Sequence, residues 1–328
     1  MKRIIGIGNA LVDILIQLDS DTLLTELGLP KGSMTLVDRA MSRRIIQSTR
    51  KLEKRQSSGG SAANTISGLA RLGVPTGFIG VVGKDSLGEV FSQDLQAGTI
   101  TNHLRTISKE TGHSISLISR DTERTFATFL GAAGDIDARH ISPDLFRSYD
   151  YLLLEGYLLP KRGLMERILE AARETDVRVV LDFSSYNVVE ENRDYLESVL
   201  KRSVDIALAN RDEARIFTGF SDPELAAADI SCLCDVAVVK CGAEGSWILR
   251  GSARHFVPAI PVRALDTTGA GDLYAAGFLF GLLNGHPLDI CGHLGSILGG
   301  KVVEVLGAKM DAERWTETMG LVRDRLPG

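Results

Sequence analysis

The chain has 328 residues, is 44% hydrophobic and 24% charged, and carries a net charge of −5, an ordinary globular composition long enough for one large α/β domain or two smaller ones. It has no Lys/Arg-rich block to suggest a nucleic-acid partner, and no apolar run of membrane-spanning length. The apolar start is short and broken by Gly8, Asn9 and Asp13, a poor signal peptide, and Cys232, Cys234, Cys241 and Cys291 lack zinc spacing, so reduced, mostly buried thiols in a cytoplasmic protein are expected.

In chain order, a first strand is expected at 4–8. It runs into Gly8-Asn9-Ala10-Leu11-Val12-Asp13, where Asn9 and Asp13 interrupt an apolar sweep. A buried Asp needs partners, and a sugar diol would supply them; turn chemistry at Asn9 and a solvent-facing Asp13 explain the pattern equally well. Gly6-Ile7-Gly8 is weak evidence for a dinucleotide fold, because the third glycine position is Leu11. Residues 11–18, 33–38, 114–120 and 124–131 read as antiparallel pieces, the last two flanking a polar turn, and suggest a small sheet standing off the core. Further core strands are expected at 78–83, 151–157, 177–183, 205–210 and 236–241, several of them continuous apolar runs of the kind covered on both faces. Helical periodicity fits 39–55, 61–72, 85–97, 161–175, 190–202, 222–232, 271–284, 288–305 and 311–325. The alternation predicts a multilayer α/β fold.

Four stretches carry chemistry. Gly59-Gly60-Ser61-Ala62-Ala63-Asn64 opens the helix at 61–72; its small residues let a ligand approach the backbone, or simply make a glycine turn. Asn210-Arg211-Asp212-Glu213 follows a strand, where α/β sheets bind ligands; it suits water-held Mg²⁺ or a helix capping box. Lys240-Cys241-Gly242-Ala243-Glu244-Gly245 allows a tight loop beside a nucleotide or a hairpin turn into 246–250. Finally, Asp266-Thr267-Thr268-Gly269-Ala270-Gly271-Asp272 leads straight into an apolar helix. The amides of 269–272 can converge on one anion, with the Asp272 carboxylate at the lip to take a proton from a hydroxyl nucleophile. Asp in a first helical turn serves as a cap as well. Gly80-Val81-Val82-Gly83-Lys84-Asp85 is too short for a Walker A loop, and the six histidines form no spaced set.

Taken together and in this order, these residues resemble the ribokinase-like, or PfkB, family of sugar and nucleoside kinases over nearly the whole chain. One motif is Gly59-Gly60-Ser61-Ala62-Ala63-Asn64 continuing into Gly80, Gly83, Asp85 and Gly88; the others are Asn210 with Glu213 and Asp266 through Asp272. The resemblance implies a single kinase domain over 1–328, a three-layer α/β/α core with a small β-sheet lid built from about 11–38 and 113–131. It implies Asp272 as catalytic base, the amides of Gly269, Ala270 and Gly271 as anion hole, and Asn210 and Glu213 organising Mg²⁺ through phosphates and water. Gly242 and Gly245 would lie near ATP, and Asp266 and Thr268 where relatives often bind K⁺. Lys240 replaces a small hydroxyl residue of many relatives and would meet phosphates or alter donor preference.

The spacing Gly6-Ile7-Gly8-Asn9 to Asp13-Ile14 resembles adenosine kinases, as do Lys31 through Asp38 and Leu154 through Leu158. By that resemblance Asn9, Asp13, Gly59, Gly60 and Asn64 hold ribose hydroxyls, and Phe126 or Phe129 covers the acceptor or packs in the lid. The expected reaction is transfer of the γ-phosphoryl group of ATP to the 5′-hydroxyl of adenosine, with ribose, fructose or 2-keto-3-deoxygluconate as alternative acceptors. An exposed lid edge would allow a homodimer. A dinucleotide oxidoreductase is opposed by Leu11, and a non-catalytic relative by Asp272.

Overall fold

The computed structural model describes residues 2–121 and 123–326. The main sheet contains β1 (Ile4–Ile7), β5 (Thr76–Gly83), β6 (Thr101–Ile107), β9 (Tyr151–Glu155), β10 (Arg178–Asp182), β11 (Ile206–Asn210), β12 (Val236–Lys240), β13 (Gly245–Arg250) and β14 (Ala253–Pro258). Its order is β14-β13-β12-β11-β10-β9-β1-β5-β6, parallel from β12 to β6 and antiparallel at β13 and β14. Apolar residues of these strands face alternately into two clusters, as both-face burial requires: Ile4 and Leu153 in one, Ile5 and Leu152 in the other. The first cluster takes in α3 (Ser61–Arg71), α4 (Ser86–Ala97), α9 (Ala270–Leu283), α10 (Leu288–Val302) and α11 (Ala312–Arg325). The second takes in α5 (Arg162–Glu174), α6 (Tyr186–Ser203), α7 (Arg211–Thr218) and α8 (Pro223–Ser231). Three layers result, as expected.

The lid is a second sheet of five strands in the order β3-β8-β7-β2-β4. They are β2 (Leu11–Gln17), β3 (Met34–Leu36), β4 (Lys54–Gly59), β7 (Gly112–Ile118) and β8 (Arg124–Phe129). One lid face, with Val12, Ile14, Ile16, Ile115 and Leu117, is buried with Leu24 and Leu27 of α1 (Thr22–Leu27) and Ile45 of α2 (Arg39–Ser48). Leu11, Asp13, Ser114, Phe126 and Thr128 face the other way, toward the core domain.

Two expectations need correction. The helix expected over 39–55 stops at Ser48, and Lys54–Gly59 is the lid strand β4. That segment, Lys-Arg-Gln-Ser-Ser-Gly, has no apolar alternation to announce a strand; antiparallel pairing with β2 makes it one. The lid pieces are not all antiparallel: β2 pairs with β7, and β3 with β8, in parallel. Alternation specifies which face a side chain takes but not the direction of the neighbouring strand. Of the cysteines, Cys241 and Cys291 are buried, Cys234 is partly so, and Cys232 is exposed; all are free. The segments α1, α7 and β6 were absent from the sequence pattern because each is short or polar. Among the described residues no helix is long and apolar enough to cross a membrane.

Candidate active site

Strand order reverses around β1, which lies between β9 and β5, and the carboxyl ends of the parallel strands open onto a cleft of about 1520 Å³ beneath the lid. Five neighbouring strands each deliver a polar side chain there: Asn9 just beyond β1, Glu155 ending β9, Asp182 ending β10, Asn210 ending β11 and Lys240 ending β12. Asn9, Asp13, Gly60, Asn64, Asn210, Glu213, Lys240, Gly242, Gly245, Thr268, Gly269, Ala270, Gly271 and Asp272 all line this one cleft. Residues up to 263 positions apart in sequence are thus brought together. Gly59 lies just behind it, and its lack of a side chain admits Asp13, whose carboxylate a Cβ would overlap.

On the lid side, Asn9 is buried and held by Glu155. Its backbone amide and its Nδ2 both donate to Glu155 Oε1, at 2.7 and 2.5 Å, and the Ala62 amide donates to Oε2 at 3.2 Å. Burial lifts the Glu155 carboxyl to about 7 despite these donors. Asp13 is lifted to about 7 by burial first and by the Asp272 charge second, with Lys309 and Arg124 acting in the opposite sense. Asp13 and Glu155 are thus two carboxyls of the cleft that burial lifts well above the usual carboxylate range. Glu155 was not singled out as a site residue from the sequence, nor was Asp182; both end strands where the rule that flagged Asn210 applies equally.

Asp272 lies in the first turn of α9, three residues after its N-cap Gly269, which takes φ +77°. Its carboxylate does not cap its own helix. Oδ1 accepts from Ser61 Oγ at 2.8 Å and Oδ2 from Asn64 Nδ2 at 2.9 Å. Burial raises its proton affinity, these two donors lower it, the Asp182 charge raises it and Lys240 lowers it, with a net upward result. The expected anion hole is modified in one place. The Ala270 amide donates to Thr267 O at 3.1 Å, so the donors left without a protein acceptor at this helix end, among the described residues, are the amides of Gly269, Gly271 and Asp272.

On the opposite side Lys240 Nζ pairs with Asp182 Oδ2 at 2.8 Å, both largely buried, and lies 3.3 Å from where a Cβ on Gly271 would sit. The ammonium thus faces the N-terminus of α9, two positive ends converging on one place, an arrangement suited to a polyanion. Burial would lower the Lys240 proton affinity, but Asp182 and Glu213 more than offset it. Asn210 and Glu213 do form a capping box: Asn210 Oδ1 accepts from the Glu213 amide at 2.9 Å, and Glu213 accepts from the Asn210 amide and Nδ2. Glu213 is buried and its carboxyl is raised, by desolvation and then by Asp182. The cap fixes the acid at the cleft wall. No group of three or more His, Cys, Asp or Glu among the described residues could hold a metal ion.

The monovalent-cation expectation at Asp266 and Thr268 does not fit. Asp266 Oδ1 accepts from the Thr268 amide and hydroxyl, and Oδ2 accepts from the Gly307 amide. The guanidinium of Arg124, from lid strand β8, lies against Oδ2 with Nη2 at 2.8 Å, both side chains nearly inaccessible. A permanent cation on the chain already balances the charge that K⁺ would balance. Of the two lid aromatics, Phe126 faces the cleft, while Phe129 packs on His113 with ring centroids 5.4 Å apart. Three residues apart on one strand, they must point to opposite faces.

The pfkB family carbohydrate kinase model matches residues 36–315. The chain is 31% identical over 251 residues to a sugar kinase of Archaeoglobus fulgidus described as uncharacterized, covering 74% of this chain and 96% of that protein. It is 32% identical over 248 residues to 5-dehydro-2-deoxygluconokinase of Geobacillus thermodenitrificans, covering 70% and 73%. Among solved structures, adenosine kinase from Sinorhizobium meliloti superposes with a TM-score of 0.88 at 30% identity, over 97% of this chain and 99% of that one. A probable sugar kinase from Rhizobium etli gives 0.88 at 29%, over 98% and 99%.

Proposed function

This chain belongs to the PfkB family of carbohydrate kinases, and on that premise we propose that it is an ATP- and Mg²⁺-dependent nucleoside kinase acting on the 5′-hydroxyl of adenosine, as a single unit over 1–328. The family assignment makes it a phosphotransferase with an alcohol acceptor. The observation that carries the reading is Asp272, poised at the unsatisfied N-terminus of α9 between the Asn9–Asp13 wall and Lys240.

Asn9 and Asp13 would hold the ribose hydroxyls beyond the end of β1, with Gly59 making room for the Asp13 carboxylate and Gly60 for the Asn9 backbone. Asp272 would take the proton of the 5′-hydroxyl as its oxygen bonds to the γ-phosphorus and the bond to the β–γ bridging oxygen breaks. The amides of Gly269, Gly271 and Asp272, with Lys240, would stabilise charge on the moving phosphoryl group. Asn210, Glu213 and Asp182 would make water-mediated contacts to Mg²⁺, and Gly242 leaves backbone open beside the nucleotide, while Gly245 lets the same loop pack against Val257 of β14. Mg²⁺ would neutralise phosphate charge as the bond breaks. The apolar lid surface of Met34, Leu36 and Phe126 favours a flat nucleobase over a free sugar, whose faces carry hydroxyls. The likeness to the Sinorhizobium meliloti adenosine kinase supports the same choice.

The second reading is a sugar kinase, favoured by the identity to 5-dehydro-2-deoxygluconokinases. ADP production with MgATP across adenosine, inosine, ribose, fructose, 2-keto-3-deoxygluconate and 5-dehydro-2-deoxygluconate decides between them. Turnover confined to adenosine supports the nucleoside reading; turnover on a sugar alone overturns it and keeps the Asp272 chemistry. No turnover on any acceptor sinks both.

A further inference from the structure

Among the described residues two lysines line the cleft, and their partners differ. Lys161 Nζ donates to the carbonyls of Gly134 and Ile136, whereas Lys240 Nζ meets a carboxylate and the end of a helix. Lys240 stands beside Asn210 in the pairing of β12 with β11, and its side chain crosses the end of β11 to reach Asp182 on β10. That bond completes a set. Asp182 Oδ1 accepts from the Ser184 amide at 2.9 Å and Oδ2 from Lys240 Nζ at 2.8 Å. Glu213 Oε2 accepts from the Asn210 amide at 2.8 Å and Oε1 from Asn210 Nδ2 at 2.7 Å. Each oxygen of the two carboxylates thus already accepts from the chain, and Lys240 is the charged donor of the set.

The ammonium also faces the N-terminus of α9, which is itself positive and repels it. Gly271 lets it come that near, since a Cβ there would lie 3.3 Å from Nζ. Asp182 and Glu213 hold it in place against that repulsion and against burial. Phosphates placed between the ammonium and the helix end would be attracted by both. A divalent ion held directly by Asp182 and Glu213 would have to compete with Nζ for Asp182 Oδ2 and would meet its charge at close range. We propose that Lys240 is a built-in cation for the donor phosphates that takes the place of a divalent ion held by Asp182 and Glu213, so that Mg²⁺ reaches the cleft only on the nucleotide. This rests on the reading of the α9 end as the donor phosphate site. The small hydroxyl residue that the resemblance leads one to expect at position 240 could neither reach Asp182 nor supply a charge.

The test compares wild type, Lys240→Thr and Lys240→Arg in two measurements. One is Mn²⁺ binding without nucleotide, read by electron paramagnetic resonance; the other is the KM for MgATP at limiting and at excess free Mg²⁺, with the acceptor the panel identifies. Wild type should hold no Mn²⁺ at Asp182, and its rate should be flat in free Mg²⁺ once all ATP is MgATP. Lys240→Thr should bind Mn²⁺ without nucleotide. Its KM for MgATP at limiting free Mg²⁺ should rise by about tenfold or more, the worth of a hydrogen bond to a charged group, and excess Mg²⁺ should restore most of that loss. Lys240→Arg keeps the charge and should be as indifferent to free Mg²⁺ as wild type. Mn²⁺ held by nucleotide-free wild type and lost in Asp182→Asn would overturn the proposal, as would a Lys240→Thr enzyme that excess Mg²⁺ does not restore. Lys240→Thr leaves Asp182 without its partner; if it does not fold, Asp182→Asn carries the test. That variant keeps the ammonium, so its rate should stay flat in free Mg²⁺; a new requirement for free Mg²⁺ would mean that Asp182 binds the ion directly. Failure of the underlying reading looks different: MgATP would then not raise the melting temperature of wild type. Stabilisation by MgATP beside a Lys240→Thr enzyme indifferent to free Mg²⁺ sinks only the role given to Lys240.

Discussion

Asp272 and Asp13 are two carboxyls in one cleft whose surroundings give them different tasks. Asp272 spends both oxygens on another helix, so replacing it with Asn should leave stability within about 1 kcal/mol while cutting turnover by roughly 10²–10⁴-fold, the range general bases contribute. Normal turnover in Asp272→Asn would remove it from the mechanism. Asp13 makes a different prediction. Its carboxyl is lifted from 3.8 to about 7, so the native state binds this proton more tightly than the unfolded chain does. That contribution to stability is complete below the unfolded value of about 4 and is lost as pH rises through about 7. Asp13→Asn, which cannot ionise, should therefore gain thermal stability over wild type at pH 8, with the gain shrinking toward pH 5. A gap equal at both pH values would mean that ionisation of Asp13 is not what burial penalises. The same variant should bind the acceptor worse, the usual exchange of stability for function at a strained site.

Elements decide which side chains can act at all. Strand β8 sends Arg124, Phe126 and Thr128 toward the core domain and Thr125, Ala127 and Phe129 into the lid interior. Phe126→Ala should raise KM for a nucleoside several-fold with little loss of stability. Phe129→Ala should do the reverse, costing up to about 3 kcal/mol by opening a gap beside His113 while leaving KM in place. Equal effects of the two on KM would refute the assignment of faces. Glu155 plays a joining part of the same kind: it ties the end of β1 to the first turn of α3 by accepting from Asn9 and Ala62. Asn9 and the helix whose side chains reach Asp272 thus share one buried carboxylate.

At the scale of the molecule, the buried contact between Arg124 and Asp266 links the lid sheet to the core, with Thr268 beside it. Removing one partner of a buried pair leaves an uncompensated charge, so Arg124→Ala should cost about 3–5 kcal/mol, read as a fall in Tm. Wild-type activity should be the same in K⁺, Na⁺ or choline chloride at equal ionic strength; activation by K⁺ alone would show that Arg124 does not replace the cation. Apolar runs and their spacing were enough for the layered α/β core, and glycine and polar punctuation were enough for the stretches at 59–64, 210–213 and 266–272, because local periodicity and turn chemistry are properties of short segments. Strand β4 escaped that reading, since nothing in Lys54–Gly59 prefers a strand until β2 lies beside it. The parallel pairing of β2 with β7 escaped it too, being a relation between segments some 95 residues apart. Motif spacing could mark Asn64 and Asp266 as site residues, but only the meeting of α3 with α9, and of β8 with the loop before α9, put Asn64 Nδ2 on Asp272 and a guanidinium on Asp266. Hydrogen bonds and charges act over a few ångströms, and which groups come within that distance is fixed by packing between elements far apart in the chain.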